Sequence, residues 1–103
     1  MNELSLVASI LERDTLRYTP AGIPIVGGIL QHGSTQTEAR MDRQVDFEIP
    51  AVAAGEISGR FANAELGAMY RFTGFLARKS RHSKSLCFTS LISVPRKTIR
   101  ARL

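Results

Sequence analysis

The chain has 103 residues, enough for one domain with one modest core and too few for two. Hydrophobic residues make up 44% and charged residues 22%, which excludes a disordered charged tail. No apolar run approaches the roughly 20 residues a membrane-spanning helix needs, so no membrane role is expected. The formal net charge of +5 is unevenly placed. Residues 1–66 hold five bases against all nine acids, whereas residues 67–103 hold nine bases and no acid. A basic stretch with no interleaved acid is either a footprint for a polyanion or a solvated face that keeps the protein soluble.

The single cysteine, Cys87, has no internal disulfide partner and no CxxC pair, which fits a reducing cytoplasm. Glu3 stands where an export signal would be basic. His32 and His82 are too far apart to form a local metal motif, so neither metal nor cofactor is expected.

Leu4, Leu6, Ala8 and Ile10 alternate with Ser5, Val7 and Ser9, the period of a half-buried strand, and Leu16-Arg17-Tyr18 extends it after a bend. Thr19-Pro20-Ala21-Gly22 is a turn. A second strand is expected from Ile25 to His32. Its inward set is either Val26, Gly28 and Leu30 or Ile25, Gly27 and Ile29. The polar run Gly33–Asp42 reads as a loop. Val45, Phe47 and Ile49 predict a third strand, with Pro50 ending it. Ile57, Phe61 and Leu66 recur at near-helical spacing, with Gly67 as a stop. Tyr70, Phe72, Gly74 and Leu76 mark a fourth strand, Arg78 to Lys84 a basic hairpin loop, and Leu86 to Val94 a fifth strand. The expected domain is 1–94, followed by a basic, disordered tail at 95–103. Five strands with one short helix between the third and fourth give an all-β OB-fold barrel.

The run Leu16-Arg17-Tyr18-Thr19-Pro20-Ala21-Gly22-Ile23-Pro24 resembles a segment of the bacterial single-stranded-DNA-binding family. Leu30-Gln31-His32, Arg43-Gln44 followed by Ile49-Pro50, and Gly74-Phe75-Leu76 leading into a basic loop resemble its primosomal replication protein N (PriB) branch. The resemblance spans about Asn2 to Val94. It implies a homodimeric OB-fold that binds single-stranded DNA and assists the PriA helicase, with other primosome proteins, at stalled forks. Some members carry an aromatic residue where Asp46 stands here. Asp46 and Glu48 share a face and repel phosphate.

Arg78, Lys79, Arg81 and Lys84 are the expected DNA contacts, because a backbone-tracking groove needs cations spaced like phosphates. Phe75 falls on the outward face of its strand. There it either stacks on a base or is buried at a dimer contact or under a loop. Tyr18 is a second stacking candidate or else a core aromatic. Arg17 and Arg43 either contact phosphate or pair with Asp14 or Asp42. No nucleophile–base pair and no phosphate-loop motif is present, which argues against an enzyme. The competing reading is a protein-interaction adaptor in replication, with DNA binding secondary. The extra apolar residues Val7 and Leu11 on the first strand suggest a second buried face and hence a homodimer.

Overall fold

The computed structural model describes residues 1–78 and 86–95. In chain order the elements are β1 (Leu4–Arg13), β2 (Arg17–Tyr18), β3 (Pro24–Glu38), β4 (Met41–Ala54), α1 (Glu56–Asn63), β5 (Met69–Arg78) and β6 (Leu86–Pro95). The five long strands close a ring: β1 pairs with β5, β5 with β6, β6 with β4, β4 with β3, and β3 returns to β1. Every pairing is antiparallel except β4 with β6. A closed five-stranded ring with a helix between its third and fourth long strands is the OB-fold.

Strand alternation sets the core. Leu6, Ala8 and Ile10 of β1, Val26 and Leu30 of β3, Ala51 and Ala53 of β4, Phe72 of β5 and Phe88 of β6 all point inward and are buried. The inward set of β3 is therefore the one that holds Val26 and Leu30. Phe61 of α1 plugs one end of the barrel, with its ring 6.1 Å from that of Phe72. Close approach of α1 and β1 to β3 demands a glycine there. A Cβ on Gly28 would lie 2.4 Å from the Glu12 carbonyl oxygen and 3.3 Å from the Phe61 ring.

Arg13 ties the helix to the barrel. Its guanidinium donates to the carbonyls of Phe61 and Ala64, which lie at the helix C-terminus. The Phe61 carbonyl also accepts from the Ala64 N–H, at 3.4 Å. At the other end of the chain, the Asn2 side chain imitates one more strand residue. It donates to the Leu76 carbonyl at 2.7 Å and accepts from the Leu76 N–H at 3.1 Å.

Three sequence expectations are corrected. Gly33–Asp42 is not a loop. β3 and β4 stay paired from Ile25↔Ala54 out to Glu38↔Met41, with a two-residue turn at Ala39 and Arg40. Both turn residues have positive φ, 53° and 66°, as a tight hairpin of the favoured twist requires. The turn lacks the usual Asn-Gly, and residues 33–42 lie away from the core, so they are mostly polar and carry no hydrophobic alternation. Pro50 likewise does not end its strand. It sits opposite Ile29, and β6 joins the other edge of β4 only from Ala51 onward, so no ladder hydrogen bond to β6 is lost there. Finally, α1 ends at Asn63, and Leu66 lies beyond it, 51% exposed, because Ala64 turns to extended geometry.

Candidate nucleic-acid interface

The outward residues of four strands form one continuous face. Phe75 on β5 lies opposite Thr89 on β6, Thr89 is in register with Val52 on β4, and Val52 faces Gly27 on β3. The row spans three interstrand steps, about 14 Å at the usual sheet spacing. Phe75 is half-buried on this outward side. It is not part of the core cluster.

At the β3–β4 end of the row lies a groove of about 580 Å³. Ile25, Ile29, Pro50 and Val52 wall it, and Gly27, of the same outward parity, leaves its floor open. Its rim carries Glu12, Asp14 and Arg17. The segment after β1 is held against the groove by the Asp14 N–H, which donates to the Gly27 carbonyl at 2.8 Å. Cys87 lines the far side, one residue into β6. Arg78 and Leu86, where β5 ends and β6 begins, pair with each other one residue beyond Cys87 and its partner Ala77.

Arg17 and Tyr18 form β2, pairing with Ile25 and Pro24 at the groove's edge. Both are exposed, Tyr18 at 66%, so Tyr18 is not the core aromatic that was the alternative. Arg17 makes no ion pair among the described residues, with Asp14 or any other acid. Arg78, the last residue of β5, is exposed and lies opposite Leu86. Lys79, Arg81 and Lys84 lie outside the described residues. So do the tail beyond Pro95 and His82.

Arg43 is placed apart from the others. It sits near the hairpin tip, opposite Gln36, and its partner is Glu38 at 2.6 Å, neither Asp14 nor Asp42. Its parity is that of Ala51 and Ala53, so it points to the side of the ribbon opposite the groove. About seven residues separate it from Pro50, some 24 Å of extended chain.

Beyond Ile29 and Pro50 the same outward face turns acidic. Gln31 pairs with Glu48, Gly33 with Asp46, and Thr37 with Asp42. Asp42, Asp46 and Glu48 are all exposed. The reverse side of the ribbon carries a small polar–aromatic cluster. His32 and Phe47 stack with ring centroids 4.9 Å apart. His32 Nδ1 lies 2.7 Å from the Val7 carbonyl, which can only accept, so Nδ1 carries the proton. In the neutral ring Nε2 then accepts from the Ser34 hydroxyl at 2.8 Å.

The sequence pointed to the charged and aromatic ends of this face and missed its middle. Gly27, Val52 and Asp14 belong to the groove, but the sequence pattern leaves the parity of β3 open and a proline at position 50 reads as a strand end. Among the described residues no cluster of histidine, cysteine or acidic side chains could hold a metal ion. No described helix is long and apolar enough to cross a membrane.

Residues 2–90 match the model of a family described as another single-strand binding protein family. The replication restart protein PriB of Bordetella pertussis is 40% identical over 83 residues, covering 81% of this chain and 78% of its own. PriB of Neisseria meningitidis serogroup B is 42% identical over 82 residues, covering 80% and 81%. The solved structure of PriB from Ralstonia solanacearum superposes with a TM-score of 0.85 at 40% identity, over 92% of this chain and 97% of that one. The single-stranded DNA binding protein from Thermus aquaticus shares the fold alone, with a TM-score of 0.72 at 22% identity over 92% of this chain and 50% of that one. By the extent and identity of these matches, the chain belongs to the PriB family of replication restart proteins, within the single-strand binding proteins.

Proposed function

We propose that this protein is a non-enzymatic, cytoplasmic single-stranded-DNA-binding factor of replication restart, working as a homodimer and assisting the PriA helicase. The observation that carries the reading is the outward row Phe75–Thr89–Val52–Gly27. At one end of it lie the exposed pair Arg17 and Tyr18, and Arg78, exposed three residues along β5 from Phe75, is followed in the sequence by an acid-free basic segment. OB-folds use this face and the loops beside it to hold oligonucleotides. A single strand is held there by cations along its phosphates and aromatic rings under its bases. The name shared by the relatives supports the biological setting.

Homodimer formation is supported by β1. Its pairing with β3 begins only at Ser9↔Gln31, so Leu4–Ala8 offers a free edge on the side away from β5. Within the chain that edge is met by the His32 ring at the Val7 carbonyl. An unpaired strand edge is a template for another strand, and a second β1 is the available one.

A second reading rests on a different observation. The exposed acids Asp42, Asp46 and Glu48 on the ribbon repel phosphate and suit a basic protein surface. In that reading the main ligand is a replication protein and DNA is secondary. Fluorescence anisotropy of a labelled oligothymidine at two salt concentrations, beside a pull-down with PriA, separates the two. If four to six cations meet phosphates, log K falls against log salt with a slope of roughly −3 to −4. The Arg81→Ala/Lys84→Ala double variant then binds more weakly and with a slope shallower by about 0.7 per contact. A flat salt response together with strong PriA capture favours the adaptor.

A further inference from the structure

The hairpin ribbon has a strand edge that nothing among the described residues covers. The Gly27 carbonyl accepts from the Asp14 N–H, so Gly27 turns its backbone polar groups away from β4. Its partner across the antiparallel ladder, Val52, then turns its own away from β3. With the register unbroken out to Glu38↔Met41, so does every second residue of β4 back to the hairpin tip. Val52 meets β6 on that side, because β6 pairs with Ala51–Ala53. Asp42, Gln44, Asp46 and Glu48 meet no strand there among the described residues, and their N–H and C=O groups form an open edge.

Side chains select what can pair with this edge. On its outward face stand Asp42, Asp46 and Glu48, all exposed, with Asp42 also accepting from the Thr37 hydroxyl at 3.2 Å. On its other face stand half-buried Val45 and Ile49 and, between them, Phe47 at 40% exposure. An unpaired edge is a template for an added strand. Two copies of this edge pair poorly with each other, because acids would face acids. Its complement is an extended segment with cations on one side and aliphatic groups on the other. Residues 96–103 of this chain have that period-2 pattern. Arg96, Arg100 and Arg102 share one phase, and Ile99, Ala101 and Leu103 share the other.

We propose that the open β4 edge takes residues 96–103 of a second copy of this chain as an added strand. Run parallel to β4, the sense in which β6 meets it, the segment sets Arg96, Arg100 and Arg102 opposite Asp42, Asp46 and Glu48. The same register sets Ile99, Ala101 and Leu103 opposite Val45, Phe47 and Ile49. Its one like-charge pair is Lys97 with Arg43, and Arg43 is already engaged by Glu38 at 2.6 Å. The donor must be another copy. Phe88 lies level with Ala51, so Pro95 is seven residues beyond that level and Glu48 three residues before it, about 33 Å apart along the strands. Residues 96–103, fully extended, span at most about 29 Å. This contact needs no DNA and is separate from the β1 edge.

The test mixes two variants of the whole chain. Arg100→Asp/Arg102→Asp spoils the added strand and leaves the edge intact. Asp46→Arg/Glu48→Arg spoils the edge and leaves the added strand intact, and folding should survive because both sites are exposed. The first variant is ¹⁵N-labelled, the second is added unlabelled in excess, and amide hydrogen exchange is followed by NMR. Exchange at Gln44, Asp46 and Glu48 is expected to slow by at least about five-fold, the effect of four-fifths occupancy of the edge. Excess unlabelled Arg100→Asp/Arg102→Asp should leave the rates unchanged. No contact within one chain can give this result, since neither variant holds both intact partners. At matched concentration the parent, which holds both, should exchange these amides more slowly than the labelled variant alone. Equal rates there overturn the proposal, and so do unchanged rates on mixing. Adding Thr98→Pro and Ala101→Pro to the donor keeps every cation but removes a backbone donor of each phase. Slowing should then vanish; slowing that survives overturns the proposal, because the edge would be binding charge and not a strand.

Discussion

Gly74→Ala isolates the tightest backbone contact in the described barrel. A Cβ on Gly74 would stand 1.9 Å from the Thr89 carbonyl oxygen, 2.8 Å from its carbon and 3.1 Å from the Phe88 ring. An ordinary carbon–oxygen contact between strands is about 3.3 Å or more. The β5–β6 spacing must therefore open by more than 1 Å at the point where its register already shifts, between Thr73 and Gly74. Neither neighbour can yield cheaply, since one is backbone and the other is a fully buried phenylalanine. Overpacking a core costs about 1–3 kcal/mol, and each buried backbone hydrogen bond broken adds about 1 kcal/mol more. The expected loss is about 3 kcal/mol. For a domain of this size that lowers Tm by roughly 15 °C. Urea unfolding followed by circular dichroism measures it. Gly33→Ala is the control, because its Cβ would meet only the Asp46 carboxylate, at 2.9 Å, the free end of an exposed side chain that can swing away. That change should fall within about 1 kcal/mol and can be stabilising, since glycine weakens a strand interior. Equal effects of the two substitutions would refute the reasoning, because backbone proximity would then not decide the cost.

Arg13→Met keeps the aliphatic stem and removes the donors to the Phe61 and Ala64 carbonyls. A loss of about 1–2 kcal/mol is expected in the same urea assay, discounted for partial exposure. At the hairpin tip, Ala39→Asn with Arg40→Gly supplies the residues that positive φ favours. It should stabilise by about 1 kcal/mol and slow amide exchange near Glu38 and Met41, measured by NMR. Tyr18→Ala should leave Tm within about 2 °C, because the ring is exposed, yet weaken oligothymidine binding with an unchanged salt slope if the ring stacks on a base. Phe75→Ala should weaken binding likewise if its ring faces DNA. Dissociation of the dimer in sedimentation equilibrium assigns the ring to an interface instead.

The parts of this fold that were legible in the sequence are those where one face is buried and the other wet. Leu6, Ala8 and Ile10 on β1, and Phe72 with Gly74 on β5, alternate because a barrel interior lies on one side only. The failures have a common origin in residues that leave that regime. On the β3–β4 ribbon beyond Leu30 and Ile49 both faces are accessible, so Thr35, Gln36, Thr37 and Gln44 are polar on each side and carry no period. In β3 itself Ile25, Gly27 and Ile29 are as apolar as Val26 and Leu30. The outward set is the wall and floor of the groove, and a groove for a partly apolar ligand is hydrophobic on its outer side too. The ambiguity in parity was thus a trace of the site. Asp14 could not be placed from sequence, since its position over Gly27 depends on a long-range hydrogen bond between the segment after β1 and β3.

One outward face carries both an apolar groove and an acidic ladder, and under the single-strand reading the two coexist because of distance. Four residues of extended chain separate Val52 from Glu48 and six separate it from Asp46, about 14 Å and 20 Å. At physiological ionic strength the screening length is about 8 Å, so phosphates over the groove sense these acids weakly. A strand that continued along β4 toward the hairpin tip would instead run directly over Glu48, Asp46 and Asp42, with no outward cation to offset them. Arg43 does not help, since it points to the other side and is engaged by Glu38. The acids therefore do not oppose binding at the groove; they set a direction. A bound strand gains by crossing the sheet along the row from Gly27 to Phe75 and loses by following the ribbon. In this arrangement the low aromatic content and the acidic ribbon are compatible with DNA binding, because the strand needs only a short crossing and the ribbon's outer face is left for a different kind of partner.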